Sequence, residues 1–290
     1  MPVSGWPTIS SPMVRAIPDY ANLDLSGEAR AAAARMEARA REPASEEMFR
    51  SLVAPLVGPH TRAVLELGCG TAALSRRIAR AAPHAEILAT DKSLGMLEVA
   101  RSLCAQEGAS AIRFGAWDVL DEDAFPDRDA RYDLIVSSVM ILYLQEPEAE
   151  DLVRRLARRL RPGGTLAFVE QDHMSDALED ASGLAIRIME KERRTLRRTQ
   201  GLGLRAALRR AGLSVLPRRS FLWTDEGYGA YTRELLDGMT RGALARGSIT
   251  AADAARFAAG LERAAAEGEF YYGIVYHRVA GVATIDRSGE

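Results

Sequence analysis

Val64-Leu65-Glu66-Leu67-Gly68-Cys69-Gly70-Thr71-Ala72-Ala73-Leu74 decides how this chain folds. Ala63 to Leu67 is a short apolar run that suits a buried strand. Gly68 and Gly70 let the backbone turn sharply and approach a ligand closely. From Thr71 onward, Leu74, Ile78 and Ala79 recur at helical spacing. Strand, glycine turn and helix together make a nucleotide site. A helix opens with unpaired N–H groups, and glycines leave room for a ribose or a phosphate. The turn also satisfies G-x-G-x-x-[GA], with Ala73 in the third place, so a dinucleotide site is an alternative. Glu66 separates the two readings. Its carboxylate would repel a pyrophosphate and attract a sulfonium or an ammonium group.

Glu66-Leu67-Gly68-Cys69-Gly70-Thr71 resembles the first motif of class I S-adenosylmethionine (SAM)-dependent methyltransferases, the UbiE-like branch (type 11/25-like) in particular. The resemblance runs from about Val64 to Val169. It extends through Tyr132-Asp133-Leu134-Ile135-Val136-Ser137-Ser138 and Leu160-Arg161-Pro162-Gly163-Gly164-Thr165-Leu166. It implies SAM as a consumed cosubstrate, leaving S-adenosylhomocysteine, and a sheet that ends in an antiparallel hairpin.

Composition sets wider bounds. The 290 residues suffice for one large α/β domain or a domain with a cap. A net charge of −2 provides no global field for nucleic acid. Two cysteines, Cys69 and Cys104, make no disulfide framework, and a reduced cytoplasm is expected. The sequence has no apolar run long enough to span a membrane and no basic-then-apolar leader pattern. A monomer or a homodimer is expected.

Residues 1–22, with four prolines, read as irregular, and Trp6 and Tyr20 are candidates to fold over a ligand. Ser26 to Glu42 reads as an Ala-rich helix stopped by Pro43. Ser45 is the expected cap of a second helix bearing Met48, Phe49, Leu52, Val53 and Leu56. Residues 1–60 are expected to form a lid, with Arg41 within reach of the SAM carboxylate. Further strands are predicted over Glu86–Thr90, Ala111–Trp117, Tyr132–Ser138 and Thr165–Glu170, with helices over Ser93–Gln106 and from Pro147 to Leu160. Arg161-Pro162-Gly163-Gly164 reads as a turn. Strands alternating with helices mean a parallel sheet covered on both faces. Beyond it, helices over Ser182–Arg198 and Gly203–Ala211 and a sixth strand over Leu213–Trp223 are predicted. Helices over Tyr228–Arg246 and Thr250–Ala266 follow, then a last strand, Phe270–Val279. The expected whole is an α/β, Rossmann-like, seven-stranded, mostly parallel sheet. The methyltransferase domain would span 61–290, with helical cap insertions at about 174–212 and 224–268.

Ligands of a parallel α/β sheet sit beyond the C-terminal strand ends, where Glu66, Asp91, Asp118 and Asp172 fall. A carboxylate at Asp91 can accept from both ribose hydroxyls. The resemblance implies that Met96 packs on the adenine and that Asp118 faces its amino group, with Trp117 or Val119 near the ring. It also implies that the loop of Ser137 and Ser138 contacts the methionine moiety. Gly68, Cys69, Gly70 and Lys92 complete the expected cofactor set; small-residue packing explains Cys69 better than a catalytic thiol does. Arg154, Arg155, Arg158, Arg159 and Arg161 read as a solvated face, and Lys191 to Arg198 as a similar basic run.

Methyl transfer needs nucleophile, methyl and sulfur aligned in a dry site, and a base where the acceptor is a hydroxyl. His173 follows the fifth strand and titrates near neutral pH, so it is the candidate base, with Tyr143 and Asp172 as rival polar groups. His60, His84, His173 and His277 show no metal-ligand spacing. Tyr228, Tyr231, Leu235, Leu236 and Met239 recur at helical spacing, so this stripe is expected to roof the pocket of a largely apolar small-molecule acceptor. Natural-product biosynthesis is the expected setting. The alternatives are a SAM-binding protein without methyl transfer (scaffold, regulator or pericyclic catalyst), an aminopropyl transferase and an NAD-type oxidoreductase.

Overall fold

The apolar run Ala63–Leu67 forms strand β1 in a computed structural model that describes residues 22–195 and 203–284. Parallel strands flank it: β2 (Glu86–Asp91) on one side and β4 (Tyr132–Ser138) on the other, with β3 (Ile112–Ala116) beyond β2. β5 (Leu160–Leu178) continues the parallel set on β4. Three of the four connections are helical, as is common between parallel strands, and a loop over 117–131 joins β3 to β4. Helices α4 (Ala73–Ala81), α5 (Leu94–Glu107) and α6 (Glu146–Ala157) supply them. The four central strands have fully buried interior residues, because helices cover both faces.

The C-terminal strand β8 (Tyr272–Val282) runs antiparallel to β5, and two short strands pair antiparallel with its other edge. These are β6 (Ser214–Val215) and β7 (Arg219–Asp225). Among the described residues the sheet therefore has eight strands, in the order β3-β2-β1-β4-β5-β8-β6 with β7 also on β8. The extra strand comes from the run Leu213–Trp223, expected as one. Pro217 lacks an N–H for the ladder, and the pairing breaks there.

β5 departs from expectation at both ends. Arg161-Pro162-Gly163-Gly164 is not a turn between elements but an irregular stretch within the strand, where the register to β4 jumps. A Cβ on Gly164 would stand 2.7 Å from the Tyr132 carbonyl oxygen, so only glycine fits there. At the far end, Glu170 is not the last strand residue. Pairing with β8 carries β5 through Asp172 and resumes at Ala177, after a register shift.

Before β1, the described residues form three α-helices instead of two: α1 (Leu23–Ser26), α2 (Ala29–Arg41) and α3 (Pro43–Leu52). Pro43 opens α3, where its missing N–H costs nothing, and does not merely stop α2. Ser45 does not cap α3. Its hydroxyl donates to the Arg39 carbonyl at 2.6 Å and accepts the Trp223 indole N–H at 3.1 Å. The later helices are α7 (Leu184–Thr195), α8 (Leu204–Arg210), α9 (Ala230–Ala245) and α10 (Ala251–Glu267). Among the described helices, none is long and apolar enough to cross a membrane. Trp6 and Tyr20, and the side chains of the 191–198 basic run, lie outside the described residues.

Candidate functional site

The glycine turn opens into a cavity of about 560 Å³, bounded by the strand ends, α2, α3 and α9. Gly68 and Gly70 have φ of 59° and 53°, in the left-handed region that favours glycine. Side chains close in on both. A Cβ on Gly68 would lie 2.5 Å from Met140 Cγ, and one on Gly70 2.6 Å from Met36 Sδ. The turn therefore presents bare backbone beside the first turn of α4.

Glu66, next to last in β1, is buried, with its Oε2 accepting the Ser75 N–H at 2.9 Å and the Ser75 hydroxyl. Burial pushes its carboxyl up to about 7, against the two Ser75 hydrogen bonds. Asp91 ends β2. One of its oxygens accepts the Gly70 N–H at 2.8 Å and the other the Ser93 N–H at 2.9 Å. Each oxygen keeps a second lone pair, so the carboxylate can still receive two hydroxyls. Burial raises the Asp91 carboxyl too, opposed by the same backbone bonds. Asp24 of α1 sits on the N-terminus of α5, accepting from the Ser93 hydroxyl at 2.6 Å and the Leu94 N–H at 2.8 Å. Its carboxyl is held below the usual range, first by the Ser93 bond.

Lys92, Met96, Trp117, Asp118 and Val119 line the same end of the cavity. The Trp117 indole is turned into its own loop, donating to the Asp121 carbonyl at 2.7 Å and meeting Phe125 edge-on. Arg155, read from sequence as solvated, is buried and donates to the Val119 carbonyl at 2.7 Å, which anchors that loop. Ser138 lines the cavity; Ser137 is fully buried and does not. Between them and the next element, Val139 adopts φ 55°, a strained value for a β-branched residue. Glu170 holds that loop by accepting the Met140 and Ile141 N–H groups at 3.3 and 3.2 Å, and burial pushes its carboxyl up to about 8.

The other end of the cavity is walled by Met48, Phe49, Tyr231 and Leu235, with Arg35, Arg39, Gln171 and His173 as its polar groups. Tyr143 stands at this cavity too, 46% exposed, at the rim. His173 is buried, its Nδ1 3.1 Å from Asp176 Oδ2 and its Nε2 3.2 Å from the Gln171 side-chain oxygen. Asp172 points away. It lies 3.3 Å from His277 Nε2 and does not line the cavity, because successive residues of a strand face opposite sides. Arg41 is exposed and outside the cavity; Arg35 and Arg39 stand there instead. Of the expected roof, Tyr231 and Leu235 of α9 line the cavity; Tyr228, Leu236 and Met239 do not and are buried in the core with Phe257 and Leu261 of α10. None of the described residues of 174–212 lines it. Asp176, Tyr272, Tyr276 and Arg39 were not read from sequence. The alternation Tyr272-x-Ile274-x-Tyr276 was the available signal for one wall.

Among the described residues, no group of His, Cys, Asp and Glu is placed to hold a metal ion. Cys69 and Cys104 are both buried free thiols, and burial raises both.

A methyltransferase-domain family model matches residues 64–164. Malonyl-[acyl-carrier protein] O-methyltransferase of Hahella chejuensis is 34% identical over 103 residues, 36% of this chain and 34% of that protein. Trans-aconitate 2-methyltransferase of Variovorax paradoxus is 30% identical over 142 residues, 49% of each chain. The chain thus spans less than half the length of these curated relatives. An O-methyltransferase family protein from Burkholderia thailandensis shares the fold at TM-score 0.51 and 16% identity, covering 84% of this chain and 57% of that one. The YcgJ protein from Bacillus subtilis does so at TM-score 0.52 and 17% identity, covering 81% and 99%. Sequence match and fold agree: residues 64–164 match a methyltransferase-domain model, and they lie in a fold shared with these solved structures.

Proposed function

We propose that this protein transfers the methyl group of SAM to a small, largely apolar acceptor. One observation carries the reading. The glycine turn with buried Glu66 and half-buried Asp91, and a chamber holding one histidine among apolar side chains, open into a single cavity. The first half fits the cosubstrate. Glu66 puts negative potential near the glycine turn, where a sulfonium or ammonium group is welcome. Asp91 offers two lone pairs to the ribose, and Ser138, Trp117, Asp118 and Val119 border the remaining length.

When bound, SAM supplies a carbon already activated for displacement. The chain supplies alignment, dryness and, at His173, a group within the chamber that can take a proton. Helices α1–α3 act as a lid in this reading and α9 as the roof of the acceptor chamber. A salt bridge joins lid to roof, Arg35 of α2 to Glu234 of α9 at 2.7 Å, and another ties the lid to the helix after the glycine turn, Arg76 of α4 to Glu37 of α2 at 2.5 Å. A cavity closed by packed helices excludes water during transfer.

Calorimetry with SAM and with NAD tests the cosubstrate, and mass spectrometry of the ligand carried through purification tests it independently. Binding of SAM and S-adenosylhomocysteine without NAD is expected. Binding of NAD alone would overturn the reading.

A further inference from the structure

Glu170 destabilises its own position unless something else needs it. The residue is 5% exposed within β5, and its Oε2 has no hydrogen-bond partner among the described residues. An apolar side chain of similar size would be more stable there, because a buried polar atom without a partner is unfavourable. The strand does not require the carboxyl, since its ladder to β8 uses backbone groups. What the carboxyl holds is the loop after β4.

Three successive N–H groups of that loop turn toward β5. Val139 donates to the Val169 carbonyl at 2.9 Å, and Met140 and Ile141 donate to Glu170 Oε1 at 3.3 and 3.2 Å. Successive N–H groups make a concave seat for a carboxylate where the backbone changes hand between neighbours. Here Val139 has φ 55°, and Met140 follows with φ −123° and ψ −44°. A β-branched residue resists the left-handed conformation. Val139 and the carboxyl therefore depend on each other. The strained residue creates the seat, and Glu170 in the seat offsets the strain.

The other side of the loop faces the ligand. Ser138, Val139 and Met140 all line the cavity, whereas Glu170 does not. Met140 reaches over the glycine turn, so close that a Cβ on Gly68 would stand 2.5 Å from Met140 Cγ. Glu170 can thus act on a bound molecule only through this loop.

We propose that Glu170 is a positioning residue for the cosubstrate: seated on the Met140 and Ile141 N–H groups, it holds strained Val139 and sets Met140 against the glycine turn where SAM binds. The proposal rests on the methyl-transfer reading above. Without the acceptor oxygen, two N–H groups lose their partner. Val139 then relaxes toward ordinary backbone angles, and Met140 moves off Gly68.

The test uses the full chain labelled with ¹³C-methyl methionine, the Met140 signal being assigned by its loss in Met140→Leu. Glu170→Leu keeps the bulk and removes the acceptor. Its Met140 signal should shift or broaden, and calorimetry should show SAM bound about 10-fold more weakly. Glu170→Gln keeps the accepting oxygen. Burial pushes the Glu170 carboxyl up to about 8, so the neutral acid predominates at neutral pH and the amide is a close mimic. That variant should keep the Met140 signal in place and SAM affinity within about twofold of wild type. Glu170→Asp, one methylene shorter, should show the effect of Glu170→Leu in weaker form, and it answers the question if Glu170→Leu fails to fold. Ile112→Ala is the control for lost stability alone. It cuts the core on β3, three strands from β4, and should leave both readings as in wild type.

Unchanged SAM affinity in Glu170→Leu overturns the positioning role, whether or not the Met140 signal moves. Weaker binding with Met140 unmoved overturns it too, since the loop would not be the route. An equal loss in Glu170→Gln, or an equal effect of Ile112→Ala, does the same. Failure of the underlying reading looks different: SAM then fails to bind wild-type protein, while the Met140 signal still follows Glu170.

Discussion

The Asp91 carboxylate stands 2.8 Å from the Gly70 N–H, so the expected ribose ligand also ties the end of β2 to the glycine turn. Its second oxygen holds the Ser93 N–H at the start of α5. Asp91→Ala therefore has two effects. Loss of a charged acceptor should weaken SAM binding by about 1.5–3 kcal/mol, roughly 10- to 150-fold. The freed N–H groups should also lower stability in the empty protein. Calorimetry and thermal melts separate the effects, and unchanged SAM affinity would rule the ribose role out.

Glu66 sets a pH dependence with a definite sign. Burial pushes its carboxyl up to about 7 in the folded protein from an ordinary value of 4.5. The folded state thus holds the proton more tightly than the unfolded state. This contribution is fully present below pH 4.5 and is lost as pH rises through 7, a change of about 3 kcal/mol. Denaturant titrations of empty protein across this range should show the slope, and Glu66→Gln should flatten it. Cationic SAM favours the ionised carboxylate, so binding near pH 6.5 should release a proton. Calorimetry in two buffers of different ionisation enthalpy measures that release, and its persistence in Glu66→Gln would assign it elsewhere.

Arg76 and Glu37 form a buried ion pair at 2.5 Å between α4 and α2, with Glu107 as a second, more exposed partner of Arg76. Glu37→Ala leaves the guanidinium buried with Glu107 alone, which should cost about 3 kcal/mol. The melting temperature should fall by roughly 2–4 °C for each kcal/mol. Because α2 carries Met36 over Gly70, SAM should also dissociate faster. Stopped-flow release rates equal to wild type would show that α2 does not retain the ligand.

Leu235 of α9 projects into the chamber that holds His173. Leu235→Trp adds volume on the acceptor side alone. SAM affinity should stay within about twofold, since the transfer step and not cofactor binding uses that space. Transfer to 4-methylumbelliferone should be largely lost. Equal turnover would place the acceptor elsewhere.

Short-range pattern made much of this molecule legible. β1 and β2 are apolar runs ended by the glycine turn and by Asp91, β4 is an apolar run ended by two serines, and each lies within one stretch of chain. Their strand ends must converge, because parallel strands joined by helical crossovers point the same way. Glu66, Asp91 and Asp118 are therefore brought to one edge by topology that periodicity already implies. His173 was legible as a residue near that edge. Its working surroundings were not. The extension of β5 to Leu178 depends on pairing with β8, about a hundred residues later. The turn of Asp176 toward His173 depends on a register shift that no local propensity specifies. Tyr272 and Tyr276 meet that wall only when β8 docks beside β5. Arg39 rather than Arg41 faces the cavity because the two are two residues apart on α2, far round the helix from each other, and packing over the glycine turn selects one face. The chain alone thus determined the sheet and its ligand edge, since those follow from local periodicity and strand direction. Which polar groups face one another across the acceptor chamber was decided by long-range strand pairing and helix docking, where one residue of register reverses the side a side chain occupies.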